Sequence, residues 1–325
     1  MFTTLGARAL SGLVVVVGVV TLTFFLLHLA PGDPAERLVG PRASPAELAA
    51  VRRTLGLDRS LVTQYTAWVG RFVRGDWGTS VATGEAVRTR LDDAWPATVA
   101  LVGLSLLLTY PVGLLVGALQ AARPGSRLDT ALSVASVTLF AVPGYWLALM
   151  LVMVFTYWAR VLPAFGAAGL DADLLRGWAR LADRLRHIML PLATLTLIGV
   201  GAVARFVRGA MLDVAAQPFI TTARAKGLTP VAVSLRHTLR NALPPVLALL
   251  GLSVPALFSG AVFVEAVFAW PGVGRVLVEA VQGRDYPVVM AATTVSAALV
   301  VTGNLLADLL TLWADPRIGR EGRSA

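Results

Sequence analysis

Apolar positions in this chain gather into six runs without Asp, Glu, Lys or Arg: 9–32, 94–122, 130–159, 187–204, 241–264 and 286–307. The shortest has 18 residues, and no other charge-free run exceeds 11. A helix crossing the roughly 30 Å hydrocarbon core needs about 20 apolar residues. Backbone groups in lipid must be satisfied within the segment, which favours helices. The pattern predicts an all-α polytopic membrane protein with six transmembrane helices. Residues 1–32 hold the N-terminus and helix one, 33–93 form a polar segment, and 94–325 hold helices two to six. The first run is longer than the apolar stretch of a signal peptide, and Pro31 and Pro34 follow it, so it reads as a retained helix.

The segment 33–93 has a pattern of its own. Ser44-Pro45-Ala46-Glu47 reads as a capping box with proline at the first helical position, and Gly56 ends that helix. Leu61, Tyr65, Trp68, Val69 and Phe72 then recur at helical spacing, and Gly75-Asp76-Trp77-Gly78 marks a turn. The segment carries too little core to fold alone, so it is expected to pack on the membrane face or on a partner. Within the spans, Pro111, Pro143-Gly144, Pro244-Pro245 and Pro255 are candidate kinks, suited to helices that line a pathway.

Charged residues are 14% of the chain, against about 25% in a soluble domain. The net charge of +9 comes from 28 Lys and Arg against 19 Asp and Glu. In a membrane protein those cations flank helices and face anionic lipid, so nucleic acid is not the expected partner. Six crossings place both termini on one side. With the N-terminus cytoplasmic, inside segments carry 12 Lys or Arg in 64 residues and outside segments 16 in 109. That density favours cytoplasmic termini and an extracytoplasmic 33–93.

Several chemistries are missing. The only lysine is Lys226, in Ala225-Lys226-Gly227, so there is no phosphate-binding Gly-Lys-Ser/Thr loop. There is no His-Glu-x-x-His, no Gly-x-Ser-x-Gly and no cysteine. No catalytic residue and no metal site are expected. The helix centres lack the ionisable groups that ion-coupled carriers place there. The residues leave two readings: a pathway-forming subunit powered by another protein, or a stand-alone secondary carrier or channel.

The loop 205–240 carries Arg205, Arg208, Arg224, Lys226, Arg236 and Arg240 against one acid, Asp213. Thr221–Lys226 predicts a short helix stopped by Gly227, with Ala223 and Ala225 small enough for close approach to another surface. A basic loop on lipid and a docking helix for a soluble partner both fit.

Other short runs point further. Leu26-Leu27-His28-Leu29-Ala30-Pro31-Gly32-Asp33-Pro34, Leu55-Gly56-Leu57-Asp58 and Gly75-Asp76-Trp77-Gly78-Thr79-Ser80 precede that loop. Within and after it come Thr222-Ala223-Arg224-Ala225-Lys226-Gly227-Leu228 and Arg236-His237-Thr238-Leu239-Arg240-Asn241-Ala242-Leu243. Trp270-Pro271-Gly272-Val273-Gly274, Asp285-Tyr286-Pro287 and Asp315-Pro316-Arg317 follow. In this order the chain resembles permease subunits of binding-protein-dependent ABC importers of the dipeptide/oligopeptide/nickel family.

The resemblance implies a type I importer permease in the bacterial inner membrane. It would pair with a second homologous permease and two cytoplasmic ATPase subunits that bind ATP and Mg²⁺. An extracytoplasmic solute-binding protein would supply substrate, by default di- or oligopeptides, with nickel or another small solute as the alternative. The chain itself would hold no cofactor. Thr221, Thr222, Ala223, Arg224, Ala225, Lys226 and Gly227 would form the ATPase-coupling helix, supported by Arg236, His237 and Arg240. The wider class has Glu where Thr221 stands and a later Pro where Arg240 stands, a departure shared with the peptide-type forms. Trp270, Pro271, Gly272 and Gly274 would shape the outer mouth or form a structural turn. Glu265 would line the gate or cap that turn, and Tyr145 and Trp146 would meet substrate or pack.

Overall fold

The computed structural model describes residues 2–29, 35, 39 and 43–314. Ala30-Pro31-Gly32-Asp33-Pro34 and Asp315-Pro316-Arg317 lie outside the described residues. Helix α1 is Phe2–Leu29, α2 Pro45–Leu55, α3 Leu61–Val73, α4 Val87–Ala122 and α5 Arg127–Ala141. Helix α6 is Gly144–Trp158, with a π-helical end, and α7 is Gly177–Ala215. Helix α8 is Pro218–Ala225, α9 Pro230–Val267, α10 Val273–Gly283 and α11 Tyr286–Ala314.

Five of these are long and apolar enough to cross a membrane: α1, α4, α7, α9 and α11. The sixth expected span is not one helix. It is the pair α5 and α6, bent by 104° at Val142-Pro143. Val142 is extended (φ −72°, ψ 130°), the conformation that a following proline imposes. Pro111 and Pro255 were equally eligible to break their helices, yet α4 and α9 run through them. The helices also overrun the charge-free runs. Helix α4 starts seven residues before Ala94, and α7 starts ten before His187. The basic loop 205–240 contracts accordingly to residues 216–229.

The chain divides into two compact units. The N-terminal unit comprises residues 2–98 and 271–301. Here α2 is capped as expected: Ser44 Oγ accepts the Glu47 N–H, the Glu47 carboxylate accepts the Ser44 N–H at 2.8 Å, and Gly56 closes the helix at φ +69°. Those hydrogen bonds hold the Glu47 carboxyl below its ordinary value. The segment packs on spans of its own chain. Tyr65 and Trp68 of α3 cover Val20 and Phe24 of α1 and Met290 of α11. Asp285 is fully buried at the turn before α11, where it accepts the Ser80 hydroxyl and the Val81 and Ala82 N–H groups.

The core unit comprises residues 99–270 and 302–314. Helix α7 is its central element, packing on α5, α6 and α9. Helices approach closely where side chains are small, as lipid-embedded packing requires. A Cβ on Gly113 would meet Val203 Cγ1 at 2.6 Å, and one on Gly117 would meet the Ala204 carbonyl at 2.6 Å.

Candidate functional site

The segment between α7 and α9 is short and tightly held. Pro218 opens α8 at its first turn, where a missing N–H costs nothing. Gly227 follows at φ +81°, a conformation that burdens any residue with a Cβ. Thr229 then accepts the Ala232 N–H and starts α9 at Pro230.

Helical spacing puts Ile220 and Ala223 on one face. Both are buried, packed with Val233 and against Val214 at the end of α7. Burying Ile220 alone is worth about 1.5–3 kcal/mol. The opposite face carries Phe219, Thr221, Thr222, Arg224, Ala225 and Lys226, all exposed, and Gly227 beyond them is exposed too. The expectation that both small residues face a partner therefore divides. Ala225 points outward, whereas Ala223 lies inside, because it sits three residues from Ile220. Arg224 in the last turn and Lys226 at the C-cap suit the negative end of the helix dipole.

Arg236 and His237 lie in a π-helical stretch, Val233–Leu239, whose first residue is the Val233 of the packed cluster. Arg236 is exposed, His237 is half-buried, and the His237 carbonyl accepts from Asn241. Arg240 is exposed on the following turn. The fold thus brings this stretch against α8 through Val233, with Arg236 exposed on its outer side. Ile220 and Val233, which the sequence reading passed over, are what hold the segment in place.

A buried polar clamp stiffens α7 one to two turns before its end. Asp129 of α5 accepts Arg208 Nε and Nη2 of α7 at 2.8 Å each, with Ser133 and the Gly125 N–H completing its shell. Buried Gln120 of α4 donates to Ser133. Sequence could have flagged Asp129, the lone acid between two long charge-free runs, but not its partner 79 residues on.

The other candidate residues fall in different places. Tyr145 and Trp146 begin α6 and are 54% and 48% exposed on this chain. Glu265 of α9 is fully buried and its carbonyl accepts the Trp270 N–H at 2.9 Å. Trp270 is buried in the core unit. Pro271 is exposed, and Gly272 and Gly274 are buried, in the N-terminal unit, where the Val273 N–H donates to Thr98 Oγ1.

Several apolar helices of membrane-spanning length, with a short, pinned cationic helix between two of them, fit a membrane permease subunit. The chain belongs to the family of binding-protein-dependent transport system inner membrane components. The family's model matches residues 111–320, and the model of the family's N-terminal part matches residues 1–102. The oligopeptide transport system permease protein AppB of Bacillus subtilis is 37% identical, over 96% of this chain and 97% of its own length. The probable D,D-dipeptide transport system permease protein DdpB of Escherichia coli is 40% identical, over 96% of each chain. The di/tripeptide transport system permease protein DppB of Pseudomonas aeruginosa is 38% identical, over 93% of this chain and 94% of its own. Among solved structures, the inward-facing MetNI methionine ABC transporter superposes with a TM-score of 0.56 at 19% identity. That match covers 70% of this chain and 97% of the other, and it defines the fold.

Proposed function

We propose that this permease subunit moves short peptides across the bacterial inner membrane, driven by ATPase subunits that dock on the exposed face of α8. The carrying observation is the division of α8 into two faces. Ile220 and Ala223 fix it to α7 and α9, and Thr221, Thr222, Arg224, Ala225 and Lys226 remain outside to meet a partner. A helix so fixed passes displacement of its partner into the spans. Force passes only if the partner's contact differs between its ATP-closed and open forms, since a ligand shifts an equilibrium only by differential affinity. The Asp129–Arg208 clamp extends this rigid body to α5 and the turn before it.

The partners in this reading are a second homologous permease, two cytoplasmic ATPase subunits carrying ATP and Mg²⁺, and an extracytoplasmic solute-binding protein. Docking requires the 216–229 segment to be cytoplasmic, which puts both termini on that side, in keeping with the Lys and Arg density. The peptide substrate rests on the names of the similar permeases. The exposed Tyr145 and Trp146 are the pathway candidates of the core unit, and Glu265 serves the turn that its carbonyl closes.

The test is uptake in proteoliposomes. The chain is reconstituted with the ATPases, second permease and binding protein that co-purify with it, and given labelled di- and tripeptides. ATP-dependent uptake that requires the binding protein supports the reading. Uptake driven by an ion gradient without the ATPases would overturn it.

A further inference from the structure

The N-terminal unit contains a cleft of about 530 Å³ that the transport reading does not use. Its floor is apolar: Phe24 of α1, Trp68 of α3 and Met290 of α11. Its rim is basic. Arg53 of α2, Arg59 of the next turn, and Arg71 and Arg74 at the end of α3 all line it and are all exposed. Among the described residues no carboxylate lines the cleft, and none of these four arginines forms a salt bridge.

The floor is held rigidly by its own hydrogen bonds. Tyr65 meets Thr21 at 2.7 Å, and His28 bridges the Phe24 carbonyl and Gln64. The Tyr286 hydroxyl donates to the Leu27 carbonyl, so the last turn of α1 and the first turn of α11 lie at one level. Both helices are long and apolar enough to span a membrane. The cleft therefore opens at the boundary between hydrocarbon and water.

We propose that this cleft binds the phosphate of an anionic phospholipid headgroup, with the start of an acyl chain on the Phe24–Trp68–Met290 floor. Four arginines with, among the described residues, no acid beside them favour an anion, and guanidinium forks match phosphate oxygens. The apolar floor and the interfacial level demand an amphiphile. An acidic protein surface would satisfy the rim alone and leave the floor open to water. The inference stands apart from the peptide and ATPase assignments, since none of these residues belongs to the coupling segment.

The assembled transporter is purified, stripped by detergent washing, and given mixed vesicles of phosphatidylglycerol and phosphatidylcholine. Retained lipid is then counted by mass spectrometry. Wild type should hold phosphatidylglycerol in preference, with each arginine contributing roughly fivefold at most. The combined Arg53→Gln, Arg59→Gln, Arg71→Gln and Arg74→Gln variant should lose that preference. Arg88→Gln, outside the cleft, should keep it. These are exposed positions, and an unchanged elution volume with all subunits present checks that the variant is folded.

Displacement by soluble inorganic phosphate would keep the arginine–phosphate chemistry but make the free ion its source. No displacement would assign it to the lipid. The proposal is overturned if wild type and variant retain the same lipids, or if the variant loses the binding protein while its lipid profile is unchanged.

Discussion

Helices α2 and α8 carry the same punctuation and are held by opposite means. Each begins with proline at its first turn and is followed by a left-handed glycine, Gly56 or Gly227. Helix α2 is fastened locally, by the Ser44–Glu47 box at one end and Gly56 at the other, and its described side chains are exposed or half-buried. Helix α8 lacks a side-chain cap and is fastened by Ile220 and Ala223 against other elements. A locally capped helix can shift without moving its neighbours. One pinned through its side chains cannot, which is the property the proposed coupling role of α8 requires.

The largest expected effect comes from breaking the pin. Ile220→Asp buries an unpaired charge, at a cost of about 3–5 kcal/mol, enough to detach α8. Peptide uptake in proteoliposomes should fall about a hundredfold while the spans stay folded by circular dichroism. Asp129→Asn is next. It leaves Arg208 without its bidentate partner and should cost about 2–3 kcal/mol, discounted because Arg208 is 32% exposed. A lowered thermal midpoint of the purified chain checks it, with a smaller loss of uptake.

Gly227→Asp follows. A Cβ at φ +81° costs about 1–2 kcal/mol. An acid beside Arg224 and Lys226 also disturbs the exposed face proposed to dock the ATPases. Uptake should drop roughly 5- to 30-fold, and basal ATP hydrolysis should become less responsive to the binding protein. Ser44→Ala is the smallest. It should cost about 1 kcal/mol within α2, speed hydrogen exchange over residues 45–55 and leave uptake unchanged.

The Glu47 half of that box has a pH signature. Its carboxyl titrates lower folded than unfolded, so its contribution is complete above the ordinary glutamate value and fades as pH falls through the folded one. Exchange over 45–55 should accelerate in that acid range. In Glu47→Gln the acceleration should be absent.

The contrast also marks what sequence conveys. The capping box, Gly56, Gly227 and the amphipathic face of α3 are local patterns, and each was legible. The pin was not, because Ile220 reads as an apolar residue in a basic loop until Val214 and Val233 converge on it. Chain-distant pairing hid Asp129 from Arg208 in the same way. Among the prolines, Pro143 stands at a break between helices, whereas α4 and α9 run on through Pro111 and Pro255. Gly113 and Gly117, which sequence analysis did not single out, gain their meaning only from the close approach of α7. The charge-free runs marked the spans yet stopped short of their ends, because α7 stays helical through Arg180, Asp183, Arg184 and Arg186.

The most direct test uses the absence of cysteine from the chain. Single substitutions Thr222→Cys, on the exposed face of α8, and Ala223→Cys, on the buried face, are treated with a thiol-to-amine cross-linker in membranes containing the whole assembly. A cross-linked species should form between Thr222→Cys and an ATPase subunit, its yield changing when ATP closes the ATPases, and none should form from Ala223→Cys. Failure of Thr222→Cys to reach any ATPase, while Thr54→Cys on α2 does so, would contradict the coupling role proposed for α8.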